Sequence, residues 1–165
     1  MKKTVSIIFY AIVAVILFLK APTVFENFKM QSQPAPFSTV KRLSGDLMDF
    51  PVPDQKTIVI FWATWCGPCK FELDRLNDLM ANGIIKSNEL IAINTGETAS
   101  VVNEFLVKNP WQFKIALDES GETAKKFKVS GTPTVVFLDV KGQIEWITTG
   151  LSPLLNFRIN RFLKN

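Results

Sequence analysis

Two cysteines and no histidine restrict what this chain can do chemically. Cys66 and Cys69 lie in the run Trp62-Ala63-Thr64-Trp65-Cys66-Gly67-Pro68-Cys69-Lys70, so nearly all reactive chemistry must pass through one thiol pair. Two intervening residues let both sulfurs meet across one turn when the first cysteine starts a helix and the second lies just inside it. The positive end of the helix dipole then stabilises the thiolate of the first and lowers its pKa below the free value of about 8.5. Cys66 is therefore expected to face solvent as the attacking thiol. Cys69 is expected to stay shielded until it resolves the mixed disulfide that Cys66 forms with a partner. Other uses of the pair fit less well. A structural zinc site needs four ligands and finds two sulfurs and no imidazole, and haem attachment wants a histidine where Lys70 stands. A disulfide closing so small a loop removes little chain entropy, so it would be a poor structural staple. The expectation is reversible thiol-disulfide exchange with no metal and no cofactor.

The surrounding pattern predicts how the pair is positioned. Thr57 to Trp62 (TIVIFW) is a continuous β-branched and aromatic run, as in a strand buried on both faces. Cys69, Leu73, Leu76 and Met80 share one helical face, which predicts an amphipathic helix from Pro68 to about Ala81, ending before Asn82-Gly83. Further strands are expected at Glu89 to Asn94, Gln112 to Ala116, Thr134 to Asp139 and Gln143 to Thr149. Helices are expected at Ala99 to Lys108, Glu122 to Phe127 and Pro153 to Leu163, the last with Ser152 as N-cap. Ahead of all these, Phe37 to Leu43 and Leu47 to Phe50 flank Ser44-Gly45-Asp46 as a hairpin. Strands alternating with helices and ending in a hairpin imply an α/β domain, its mixed central sheet covered on both faces. The thiol pair then lies at the carboxyl end of a central strand, where open α/β sheets place their sites.

The N-terminus reads differently. At 165 residues and 47% hydrophobic, the chain can form one domain plus an appendage. Met1-Lys2-Lys3 precedes an uncharged run from Thr4 to Leu19, closed by Lys20. As a helix that run rises about 24 Å, short of a hydrocarbon core of roughly 30 Å unless the flanking lysines snorkel. The exit, Phe18-Leu19-Lys20-Ala21-Pro22, lacks the small-residue spacing of a cleavage site. Residues 1–20 are thus expected to be a retained signal anchor, with the N-terminus cytoplasmic by the positive-inside rule. The alternative is secretion after cleavage. Residues 21–36, with Pro22, Pro34 and Pro36, read as a polar linker, and residues 37–165 as the folded domain. Lys2, Lys3 and Lys20 belong to the anchor, which leaves 16 basic residues against 15 acidic ones. So balanced a domain has no electrostatic footprint for nucleic acid. With one cysteine pair it does not use an oxidising compartment for structural staples.

These residues resemble the thioredoxin superfamily, and within it the membrane-tethered, extracytoplasmic TlpA/ResA-type oxidoreductases. The resemblance covers roughly Phe37 to Leu163. It rests on the N-terminal hairpin, on Trp-Ala-Thr-Trp-Cys-x-x-Cys-Lys-x-Glu in residues 62 to 72, and on an inserted helix and strand between Ala99 and Ala116. The stretch from Leu117-Asp118-Glu119 to Lys128-Val129-Ser130-Gly131-Thr132-Pro133 continues it. The resemblance implies a thioredoxin-like fold with one N-terminal membrane helix. It also implies a cis Thr132-Pro133 peptide facing the cysteines, and substrate contact through Trp65, Gly67, Pro68, Thr132 and Pro133. Two departures follow. Asp74 stands where the family often has a helix-bending proline, and Ile60 stands where thioredoxins keep a buried aspartate, six residues before the first cysteine. The proton-handling role then moves to Glu72, a helical neighbour of Cys69; the competing reading is a solvated carboxylate paired with Lys70 or Arg75. Gly67-Pro68 in place of an in-motif histidine favours a reductase of protein disulfides. The resemblance further implies a membrane thiol-electron donor, and substrates such as apocytochrome c or copper-site cysteines. A thiol oxidase or isomerase, and a tethered non-catalytic binding module, are the alternatives.

Overall fold

The computed structural model describes residues 2–164. The side chains of Lys2, Lys3 and Lys20, on which the expected orientation of the anchor rests, lie outside the described residues. The elements in chain order are α1 (Lys2–Met30), β1 (Ser38–Arg42), β2 (Leu47–Phe50), β3 (Thr57–Trp62), α2 (Gly67–Ala81), β4 (Leu90–Thr95) and α3 (Ala99–Lys108), followed by β5 (Lys114–Asp118), α4 (Glu122–Lys126), β6 (Thr134–Leu138), β7 (Ile144–Thr149) and α5 (Leu155–Lys164).

The apolar run TIVIFW forms the centre of the fold because every residue of β3 is buried. Side chains alternate across a strand, so β3 feeds two cores. Ile58, Ile60 and Trp62 join Leu73 and Leu76 of α2, Val102 of α3, and Ile159 and Phe162 of α5. Val59 and Phe61 face the opposite side, where Phe50, Phe127, Ala124 of α4 and Met30 of α1 cover them. Truncating a residue such as Phe61 or Trp62 to alanine would cost about 3–5 kcal/mol. The sheet has seven strands in the order β2-β1-β5-β4-β3-β6-β7. β3, β4 and β5 are parallel, whereas β6 pairs antiparallel with β3, and β1 with β5. This is the expected mixed sheet of a thioredoxin-like fold, with the hairpin β1–β2 at one edge and α3–β5 as the insertion.

The boundaries differ from expectation by two residues or more in three places. The segment after Lys20, expected as a linker, is helical as far as Met30, with Pro22 inside the helix. Docking supplies what propensity does not: Met30 is buried in the core, and the following backbone bonds to the start of β7, Ser32 N to Ile144 O at 2.7 Å and Ala35 N to Gly142 O at 2.8 Å. β5 lies two residues later than the pattern suggested, because Leu117 and Asp118 are buried and the Gln112 amide is bonded to Asn77 instead. α5 starts at Leu155 rather than Pro153, because Ser152 opens a turn and accepts the Leu155 amide at 3.1 Å. α2 ends as expected at Asn82-Gly83, where Gly83 takes a φ of 71° that other residues adopt at a cost.

Candidate active site

The thiol pair begins where β3 gives way to α2. The Cys66 amide donates to Ala63 O at 3.2 Å, which turns the chain, and Cys66 then becomes the N-cap of α2. Its sulfur accepts the Cys69 amide at 3.2 Å, which places it over amides that a helix start leaves free. Pro68 lies in the first turn, where a missing N–H costs nothing. Cys66 and Cys69 form a disulfide with their Cα atoms 5.2 Å apart. Gly67 and Pro68 are exposed, and Trp65 stands out into solvent at 76% exposure. Cys66 itself is 4% exposed and Cys69 0%. The expectation of a solvent-facing Cys66 is thus corrected for the oxidised pair, because the disulfide folds both sulfurs into the cluster with Ala63 and Leu73. The order of access survives: only Cys66 offers surface to a partner.

Behind the pair lies Glu72, fully buried. It is three residues past Cys69 on the same helix, so the two side chains are neighbours about 5–6 Å apart at Cβ. Both of its oxygens have partners: Oε1 accepts the Ser152 amide at 2.8 Å, and Oε2 accepts Arg75 Nη1 at 2.9 Å. Arg75 also donates to Ser152 O at 3.2 Å and Asn156 Oδ1 at 2.9 Å, which ties α2 to the turn before α5 and to the first turn of α5 itself. The reading of Glu72 as a solvated carboxylate fails on burial, although its pairing with Arg75 is present. Lys70 instead pairs with Asp74 at 2.9 Å. Asp74, the departure from the family pattern, also accepts the Trp111 indole N–H at 2.8 Å. Trp111 packs against Trp62, Phe105 and Phe113, so it belongs to the core.

In front of the pair is a residue that the sequence did not single out. Glu97, just beyond β4, accepts the Thr64 amide at 2.7 Å, the Thr64 hydroxyl, and Asn94 Nδ2 at 2.7 Å. Its three bonds fix the loop two residues ahead of Cys66. The only signal in the sequence is Asn94-Thr95-Gly96-Glu97 at a strand end near the same sheet edge, where polar residues more often form turns than bind ligands.

The Thr132-Pro133 peptide is cis. Thr134 pairs with Phe61, so Pro133 lies opposite Trp62, at the sheet end where the cysteines emerge. Pro133 O accepts the Gly150 amide at 2.7 Å, whereas the Thr132 backbone carries no hydrogen bond among the described residues. The structure therefore brings Trp65, Cys66, Gly67, Pro68, Cys69, Glu72, Thr132 and Pro133 to one end of the sheet.

Comparison with known proteins agrees with this geometry. Residues 26–147 match the AhpC/TSA family. The chain is 34% identical over 120 residues to the sporulation thiol-disulfide oxidoreductase A of Bacillus subtilis, spanning 71% of this chain and 72% of the relative. It is 33% identical over 113 residues to the thiol-disulfide oxidoreductase ResA of Bacillus thuringiensis, spanning 67% of this chain and 64% of the relative. Among solved structures, StoA from Bacillus subtilis superposes with a TM-score of 0.66 at 28% identity, covering 78% of this chain and 97% of that one.

Proposed function

Because the chain belongs to the AhpC/TSA family and is a thiol-disulfide oxidoreductase of the ResA and StoA kind, we propose that it works as an extracytoplasmic reductase of protein disulfides. Residues 1–20 are its retained anchor, with the N-terminus cytoplasmic, and residues 37–165 its catalytic domain. The observation that carries this reading is the Cys66–Cys69 disulfide at the start of α2, with Glu72 buried one turn behind it.

In the reduced protein, the Cys66 thiolate attacks one sulfur of a substrate disulfide. A mixed disulfide forms and the other substrate sulfur leaves as a thiolate. Cys69 then loses its proton to Glu72 and attacks the Cys66 sulfur, which releases the second substrate thiolate. Two electrons pass to the substrate and the protein is left with the disulfide seen here. The free backbone of Thr132 offers an extended substrate chain a hydrogen-bonding edge, with Trp65, Gly67, Pro68 and Pro133 around it. No histidine is present to stabilise the Cys66 thiolate further, which keeps the reduced form a good electron donor. A membrane thiol carrier restores the dithiol. The resemblance points to substrates such as apocytochrome c or the cysteines of a copper site.

Two measurements test this. Cys69→Ser should accumulate proteins disulfide-linked to Cys66, whereas Cys66→Ser should trap none. A catalytically idle binding module would behave alike in both. The reduction potential of the pair should lie below about −200 mV; a value well above it would mark an oxidase or isomerase instead.

A further inference from the structure

The direction in which α1 enters the domain follows from its joint with β7. Ser32 N donates to Ile144 O at 2.7 Å, Ile144 N donates to Gln33 O at 2.9 Å, and Ala35 N donates to Gly142 O at 2.8 Å. Pro34 bridges Gln143 in the antiparallel sense. Tracing the chain backwards from Ala35 to Ser32 therefore moves from Gly142 to Ile144, along β7 and toward Thr149. Thr149 pairs with Thr134, the neighbour of Pro133, so that is the redox end of the sheet. One turn before Met30, Glu26 is paired at 3.0 Å with Lys128, in the loop that leads to Pro133. α1 thus comes in from the redox end and runs down toward the far end. Met30, buried in the core, fixes the joint. From Leu19, the end of the apolar run, to Glu26, the helix rises only about 10 Å.

A second observation concerns the redox end itself. Trp65, Phe71 and Leu151 are large apolar residues at 76%, 57% and 50% exposure. Leu151 lies between Gly150, bonded to Pro133 O, and Ser152, bonded to Glu72. Val24, Phe25 and Phe28 are likewise exposed on the length of α1 nearest the joint. The turns at the far end instead carry exposed Asp54, Lys86, Asn88 and Lys141, alongside Ile84 and Val140.

We propose that α1 is a strut that turns the redox end of the domain toward the bilayer, so that the collar of Trp65, Phe71 and Leu151 faces the lipid surface at headgroup level. The inference rests on the reading of residues 4–19 as a retained anchor. A free linker would let the domain tumble and present any face. A clamped helix fixes one face, and exposed Trp65, Phe71 and Leu151 lie on the face it fixes.

The test uses the full chain in phosphatidylcholine vesicles that contain a nitroxide-headgroup lipid. One sample is Cys69→Ser with a fluorophore on Cys66. The other is Lys141→Cys in a Cys66→Ser, Cys69→Ser background with the same fluorophore. The label on Cys66 should be quenched several-fold more strongly than the label at position 141. Loosening the joint with Glu26→Ala and Met30→Gly should shrink the difference. Equal quenching, or stronger quenching at 141, would overturn the orientation while leaving the anchor standing. A chain that fails to float with the vesicles would overturn the anchor, and the strut with it.

Discussion

Two carboxylates flank the thiol pair, and they are held in opposite ways. Glu72 lies on α2 behind Cys69, fully buried, with one oxygen on a backbone amide and the other on a guanidinium. Glu97 lies on a half-buried loop in front of Cys66, and its partners are two groups of Thr64 and the amide of Asn94. Glu72 is beside the sulfur that loses a proton in the proposed mechanism, in surroundings from which water is excluded. Glu97 holds the backbone that aims the other sulfur. In the proposed mechanism the same side chain thus serves proton transfer on one shoulder and positioning on the other. The difference comes from what each faces: a thiol one helical turn away, or the amides of a loop.

The largest effect expected from breaking this comparison is on Glu72. Glu72→Gln keeps an oxygen for the Ser152 amide but cannot take a proton from Cys69. Resolution of a preformed Cys66 mixed disulfide should slow by about 10²-fold, and its dependence on pH should change shape. The first attack by Cys66 should change little. Stopped-flow kinetics on the two steps separately would measure this, and an equal slowing of both would assign Glu72 a structural role.

Glu97→Ala should give the converse. It strands the Thr64 amide and the side-chain amide of Asn94, which is fully buried, at a cost of about 1–3 kcal/mol. Thermal unfolding would read that loss. The first attack should slow by up to about tenfold as the Cys66 loop loosens, with the pH profile of resolution left as in the parent. Glu97→Gln, which retains an acceptor for Thr64, should recover most of the rate. If it recovers none, charge rather than positioning is what Glu97 contributes.

The contrast between the two residues also marks where the sequence was readable. The thiol pair, the strand TIVIFW and the helix behind it follow from local spacing and periodicity. Glu72 was visible for the same reason, since three residues on one helix is a local relation. Glu97 reaches Thr64 across 33 positions, and only the parallel register that sets Asn94 beside Trp62 brings them together. The Ser152 amide that holds Glu72 comes from 80 positions away. Neither contact leaves a trace in a window of neighbouring residues. The helical extension to Met30 was hidden likewise: Pro22 and the polar stretch after Lys20 argue for a break, and docking on β7 overrides them. The 4% exposure of Cys66 belongs to the closed disulfide, which residue spacing does not describe.

The smallest expected effect concerns Arg75, which sharpens the comparison because Glu97 has no counterpart to it among the hydrogen bonds it makes. Arg75 is 21% exposed at its side chain, so part of its charge is screened by water. Arg75→Met removes the cation from Glu72 and two ties from α2, one to the turn before α5 and one to α5 itself, while Ser152 N still bonds to the carboxylate. A loss of about 1–2 kcal/mol in denaturant unfolding is expected, well below the 3–5 kcal/mol of a fully buried pair. If instead Arg75→Met costs as much as a fully buried pair, the Ser152 amide is not enough to hold Glu72 in place. The carboxylate would then depend on its guanidinium partner for its position behind Cys69, and the distinction between a chemical and a positioning shoulder would have to include Arg75.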